Sequence, residues 1–102
     1  MPRLTLRTRL RQRRDCAFQT LDGETVVLLP RERTVHQLNE VGSFLWAELS
    51  RPAPIARLVE RVCEEFDVEE ASARADVLAF ARELIDRDLI LVHAPRPRKS
   101  TD

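Results

Sequence analysis

The chain has 102 residues, of which 43% are hydrophobic, and its 17 basic side chains balance its 17 acidic ones. This length suits one domain around a single core and excludes a cleft between two lobes. The sequence contains no run of about 18 apolar residues, and arginine-rich sequence follows Met1, so neither a transmembrane helix nor a secretory signal is predicted. We therefore expect a soluble, cytoplasmic protein that does not bind membranes.

Residues of the kinds that perform catalysis are present only singly. His36 and His93 stand apart from any nucleophile in the sequence, which has no glycine-rich phosphate loop. Cys16 and Cys63 lack a CxxC motif or a neighbouring histidine, so we predict neither a disulfide nor a zinc site and expect both side chains to be buried or half-buried. The prediction is a protein that is not an enzyme and has no cofactor or metal.

Basic side chains are concentrated at the start of the chain. Residues 1–14 contain six arginines and no acid, which leaves residues 15–102 with 11 basic and all 17 acidic side chains, a net charge of −6. Such an arm can bind nucleic acid, an acidic partner or its own domain, or it can stay solvated and partly disordered. The composition of residues 93–102 predicts a disordered tail. The predicted boundaries are therefore an arm over 1–14, a domain over 15–92 and this tail.

The first half of the domain predicts β-structure. Asp22-Gly23 is a hairpin signal between segments 15–21 and 24–29, because both residues tolerate left-handed dihedral angles. The second segment is apolar on both faces, as expected of a central strand, whereas Thr34–Leu38 alternates polar and apolar residues. With a turn at residues 30–33, these segments predict a three-stranded antiparallel meander whose third strand lies at an edge.

The second half predicts three helices. Asn39 can accept a hydrogen bond from the first turn of a helix, so the chain can pass from strand to helix in one residue. Apolar residues at helical spacing predict a first helix up to about Leu49, a second beginning near Pro54 and a third from about Glu69 to Arg87. A short extended segment, residues 89–92, closes the domain. The predicted fold class is α+β, a meander followed by three helices, similar to a winged helix-turn-helix.

Several short sequence pieces between residues 15 and 92 follow one another in a characteristic order. They are Val26-Val27-Leu28-Leu29-Pro30, Leu38-Asn39, Gly42, Leu45-Trp46, Ile55, Leu58, Val59, Phe66-Asp67-Val68, Asp76-Val77, Phe80, Leu84 and Leu89-Ile90. Together they resemble the PqqD family, named for pyrroloquinoline quinone biosynthesis, whose members are RiPP recognition elements. The chain departs from the family pattern at Ser50-Arg51-Pro52 and at Asp88, where glycine is usual.

The resemblance implies a function without chemistry. Such domains bind the leader segment of a ribosomally made precursor peptide as an extra strand, laid along the third strand and against the third helix. They deliver the leader to a modifying enzyme, such as a radical-SAM protein or a leader peptidase.

The implied peptide-binding residues lie on two elements. They are Thr34, Val35, His36 and Gln37 on the strand, and Arg74, Leu78, Ala81, Arg82 and Ile85 on the helix. Leu78 and Ile85 are expected to be apolar anchors, with Arg74 and Arg82 steering acidic leader residues. The alternative for the two apolar side chains is that they pack inside the domain.

A winged-helix nucleic-acid-binding protein is the main alternative function. The arginine arm and the helix-turn-helix-like architecture favour it. The third helix, however, carries five acidic residues against three arginines, namely Glu69, Glu70, Asp76, Glu83 and Asp86 against Arg74, Arg82 and Arg87. Because this balance disfavours contact with phosphates, nucleic acid is not the expected partner. A third possible function is that of a structural subunit that holds a modifying enzyme together.

Overall fold

The structure, a computed structural model, describes residues 3–93, and residues 94–102 of the predicted tail lie outside this range. The elements are, in order, β1 (Arg9–Gln12), β2 (Ala17–Leu21), β3 (Glu24–Leu29), β4 (Thr34–Leu38), α1 (Glu40–Glu48), β5 (Ala53–Pro54), α2 (Ile55–Phe66), α3 (Glu70–Asp86) and β6 (Ile90–Val92). The described strands form two antiparallel sheets, ordered β2-β3-β4 and β5-β1-β6. This arrangement confirms the predicted α+β class and the meander, while the second sheet is an addition.

The meander begins with the predicted tight hairpin. Asp22 and Gly23 have φ angles of 53° and 81°, as a two-residue turn with the twist of its flanking strands requires. β3 is the central strand, as predicted, but only one face of it is covered: Val27 is fully buried, whereas Val26 and Leu28 are each 37% exposed. The helices therefore pack on one side of this sheet.

The three helices follow the predicted order. α1 starts after Asn39, whose side-chain oxygen accepts a hydrogen bond from the Gly42 N–H at 2.8 Å, as predicted. α2 starts directly after Pro54, and α3 ends before Asp88, which has a φ of 59°. Aspartate tolerates this left-handed conformation, so the family turn forms here without its usual glycine. Among the described residues, no helix combines the length and the apolar character needed to cross a membrane.

The second sheet brings the arginine-rich start of the chain into the domain. β1 lies between β5 and β6, and its Leu10 side chain is completely buried. The Gln12 backbone N–H donates to the Leu49 carbonyl at 3.0 Å, and its side chain donates to the Trp46 carbonyl at 2.7 Å. The sequence left three contacts possible for the arm, namely nucleic acid, an acidic partner and its own domain. The described residues show contact with its own domain. The two cysteines are free and half-buried, as expected.

Leu10→Ala tests whether residues 9–12 belong to the core. We expect the free energy of unfolding to fall by about 2–5 kcal/mol, because the truncation leaves a cavity at a fully buried position. The matched change Arg9→Ala, at an exposed neighbour, is expected to shift it by no more than about 0.5 kcal/mol. Urea unfolding followed by circular dichroism measures both, and equal small effects would contradict the placement of β1.

Candidate functional site

One edge of β4 carries unpaired backbone groups. Within residues 3–93, β4 pairs only with β3, in a register that sets Val27 opposite His36 and Thr25 opposite Leu38. In an antiparallel ladder, N–H and C=O groups of successive residues point alternately to the two sides. The two hairpins fix this alternation so that Thr34, His36 and Leu38 face β3. The N–H and C=O groups of Val35 and Gln37 therefore point to the open edge.

A groove of about 400 Å³ runs beside this edge, between β4, the start of α1 and α3. Its apolar floor includes Phe80 and Leu84, which are 8% and 3% exposed. Asp76, Ala79 and Glu83 form one side of the groove, which we call the α3 wall. A strand added to β4 would direct every second side chain toward this groove.

The joint between β4 and α1 holds the groove open at one end. The Ser43 hydroxyl accepts a hydrogen bond from the Thr25 N–H at 2.7 Å and donates one to the Leu38 carbonyl at 3.2 Å. It thus bridges two backbone groups at the point where the strands diverge. A Cβ atom on Gly42 would lie only 3.1 Å from the Asn39 side-chain oxygen, so the absence of a side chain leaves room for this cap, while the Phe80 ring at 3.8 Å would be in ordinary contact.

Charged side chains surround the other end of the groove. Arg87 Nη1 lies 3.3 Å from His36 Nδ1, where it can donate to the neutral ring. The same guanidinium forms an ion pair with Glu83 at 3.1 Å. Asp76 has no ion-pair partner within residues 3–93. The α3 wall is therefore acidic, with one of its two carboxylates already neutralised.

The structure separates the predicted site residues into two groups. Thr34, Val35, His36 and Gln37 form the open strand, with the Val35 side chain 63% exposed. The five helix residues do not line the groove: Ala81 is fully buried, Leu78 and Ile85 pack against the core, Arg74 pairs with Glu70, and Arg82 is exposed. Expecting these five to face the groove was wrong, because they occupy the opposite flank of α3.

The residues that sequence reasoning missed are those of the α3 wall. Asp76, Ala79 and Glu83 recur at spacings of three and four, which places them on one side of the helix. A small exposed alanine between two acidic residues is the signal that could have marked a helix surface open to a guest. Expecting apolar anchors instead directed attention to Leu78 and Ile85. Among the described residues, no group of three potential metal ligands comes together.

The fold and the site define a class of small α+β domain, in which a meander with an open edge strand lies beside a helix-lined groove. The family description "Coenzyme PQQ synthesis protein D (PqqD)" matches residues 24–90. The chain belongs to the PqqD family, as the sequence resemblance indicated. No curated protein sequence matches the chain closely enough to count as a relative.

Two solved structures share the fold. TbiB1, in complex with the TbiA(beta) leader peptide, is 25% identical with a TM-score of 0.74, over 83% of this chain and 99% of that one. A lasso peptide synthetase B1, complexed with the leader peptide, is 23% identical with a TM-score of 0.71, over 80% of this chain and 96% of that one. The likeness confirms the predicted fold.

Ser43→Ala tests the joint that positions the strand edge. We expect the free energy of unfolding to fall by about 1–3 kcal/mol, because the buried Thr25 N–H loses its partner. Ser72→Ala, at an exposed position of α3, serves as the matched control and is expected to change it by about 0.5 kcal/mol or less. If thermal or urea unfolding shows the two variants to be equally stable, the hydroxyl bridge does not have this role.

Proposed function

We propose that this protein is a non-catalytic carrier that binds the leader segment of a ribosomally made precursor peptide as an extra strand on β4. The observation that carries the proposal is the open edge of β4 beside the α3 groove. Membership of the PqqD family and the leader peptides bound to the two structural neighbours support it. The nucleic-acid alternative is not favoured, because α3 presents Asp76 and Glu83 to the groove.

Backbone pairing would use the N–H and C=O groups of Val35 and Gln37. Four such hydrogen bonds contribute roughly 2–6 kcal/mol at about 0.5–1.5 kcal/mol each. Ordering a flexible peptide costs about 2–5 kcal/mol, so pairing alone leaves a free energy near zero. Side-chain contacts must therefore supply both the affinity and the selectivity.

The groove and the strand together supply those contacts. Side chains of the guest that point inward meet the α3 wall and the floor around Phe80 and Leu84. Those that point outward lie beside Val35, on the exposed face of the meander. We therefore assign peptide recognition to Thr34–Gln37 and to the α3 wall.

The proposal assigns the chemistry to a separate enzyme. The carrier would hold the leader while a modifying enzyme, such as a radical-SAM protein or a leader peptidase, acts on the rest of the precursor. This division of roles follows from the family resemblance and from a site whose function is pairing with a backbone. A short precursor gene beside this one would identify the natural ligand.

Val35→Pro tests strand addition directly. Proline removes a backbone N–H that points to the open edge and leaves the ladder to β3 intact, a position at which edge strands tolerate proline. We expect binding of a labelled leader peptide from a neighbouring precursor gene to weaken about tenfold or more, measured by fluorescence polarisation. The circular dichroism spectrum should not change.

Two controls separate the backbone from other effects. Val35→Ala removes most of the side chain but retains the N–H, so it should bind more tightly than Val35→Pro. Thr20→Pro removes an edge N–H from β2, the opposite edge of the same sheet. Should Thr20→Pro abolish binding while Val35→Pro does not, the leader would occupy β2 and not β4.

Ala79→Arg tests whether the α3 wall contacts the guest. A long side chain at this exposed position would fill the groove, so we expect leader affinity to fall about tenfold or more. Ala71→Arg adds the same charge and bulk to α3 at an exposed position outside the groove lining, and it should bind like the unmodified protein. Equal affinities for the two variants would exclude this groove.

A further inference from the structure

The arginines at the start of the chain differ in whether they have a partner. Within residues 3–93, Arg13 is the only member of this group that forms an ion pair, with Asp15 at 2.6 Å. Its guanidinium also donates to the Asp88 carbonyl at 3.1 Å. Arg11 donates to the carbonyl of Gln12 but pairs with no carboxylate, and Arg14 is exposed.

Arg11, Arg13 and Arg14 form what we call the arginine ridge. It borders a depression of about 450 Å³ whose other lining residues are Asp15, Asp88 and Leu91. The Arg13 side chain is committed to Asp15, whose pKa its hydrogen bond lowers. Arg11 and Arg14 thus present two guanidinium groups without ion-pair partners beside a partly apolar surface.

The depression lies next to the proposed peptide groove. Glu83 lines the groove and pairs with Arg87, which also contacts His36 on β4. Asp88 follows Arg87 directly and lines the depression. The C-terminal end of α3 therefore connects the two. Ala17 lies opposite Leu28 and Thr34 lies opposite Leu29, so Asp15, which precedes β2, lies at the end of the meander where β4 begins.

A guest strand longer than β4 would continue toward this depression. An extended chain advances about 3.3 Å per residue, so a guest strand a few residues longer than β4 would extend past Thr34, at the end of the meander near Asp15. Guanidinium groups bind carboxylates through paired hydrogen bonds. A guest with acidic residues just outside its paired segment would complement the ridge.

We propose that the arginine ridge is an extension of the peptide site that binds acidic residues flanking the β4-paired segment at the Thr34 end. The inference rests on the proposed function. A peptide fits better than a polyanion such as RNA, because Asp15 and Asp88 line the same depression as the arginines and residues 15–102 carry a net charge of −6.

Selection from a random peptide library tests the inference without knowledge of the natural ligand. The library would be displayed against the unmodified protein, Arg11→Gln/Arg14→Gln, Val35→Pro and the control Arg51→Gln/Arg57→Gln. The control removes the same charge from two exposed arginines that line neither the groove nor the depression. Circular dichroism would verify folding, and Arg14→Gln alone, at an exposed position, replaces the double variant if that variant misfolds.

The unmodified protein and the control should both enrich peptides with an alternating apolar segment and Asp or Glu at one fixed end. The ridge variant should enrich the same apolar segment without the acidic end. A peptide selected on the unmodified protein should bind the ridge variant about three- to tenfold more weakly at low salt, and the difference should shrink at high salt.

Four outcomes would overturn the inference. Enriched peptides that lack an acidic end, or an acidic end that persists in the ridge variant, would overturn it while sparing the proposed function. If the unmodified protein enriches no more than Val35→Pro, the proposed function fails and the inference with it. Binding of single-stranded RNA that depends on the ridge, with no acidic preference among peptides, would assign the ridge to a nucleic acid.

Discussion

The candidate site depends on one joint, the passage from β4 into α1. Buried N–H and C=O groups left unpaired where two strands diverge are costly, and the Ser43 hydroxyl satisfies one of each. Asn39 caps α1 in the same turn, and the absence of a Gly42 side chain leaves room for the capping oxygen, which a Cβ would approach to 3.1 Å. Because β4 ends and α1 begins within one residue, the end of β4 and the first turn of α1 line the same groove as α3. The joint therefore sets the space between the open edge and the helix.

An open strand edge is also a hazard, since it can pair with another copy of the chain. Short edges and charged side chains reduce that risk. Here the strand has only five residues, and Arg87 joins His36 on it to Glu83 on α3. These groups stand beside the edge without using the N–H and C=O groups of Val35 and Gln37. The arrangement therefore leaves these backbone groups available to pair with a guest strand.

Local signals predicted most of the fold, and the parts they missed depend on contacts distant in sequence. The Asp22-Gly23 hairpin and the Asn39 cap could be predicted because each needs only a few neighbouring residues. β1 could not, because its partners lie at residues 53–54 and 90–92 and its buried Leu10 stands alone between arginines. A basic, alternating segment resembles a solvated arm until the strands on both sides of it are known.

The orientation of α3 was missed for a related reason. Its buried residues include Ala73, Val77, Phe80, Ala81 and Leu84, and the half-buried Leu78 and Ile85 widen that apolar surface. α3 packs against both α2 and β6, so apolar residues cover a broad arc and the groove receives what remains. Expecting apolar anchors therefore directed the prediction to the flank of α3 that faces away from the groove. The strand half of the site was easier, because the edge position of β4 follows from the meander.

The same burial limits how a guest can bind. Phe80 and Leu84 are only 8% and 3% exposed without a guest, so covering them removes little further apolar surface from water. Backbone pairing roughly cancels the cost of ordering the guest. The remaining free energy must then come from side chains at the margins, such as Val35, which is 63% exposed on one face, and from residues of the guest beyond the five-residue strand. Selectivity in such a domain is therefore expected to depend on what flanks the pairing segment as well as on the segment itself.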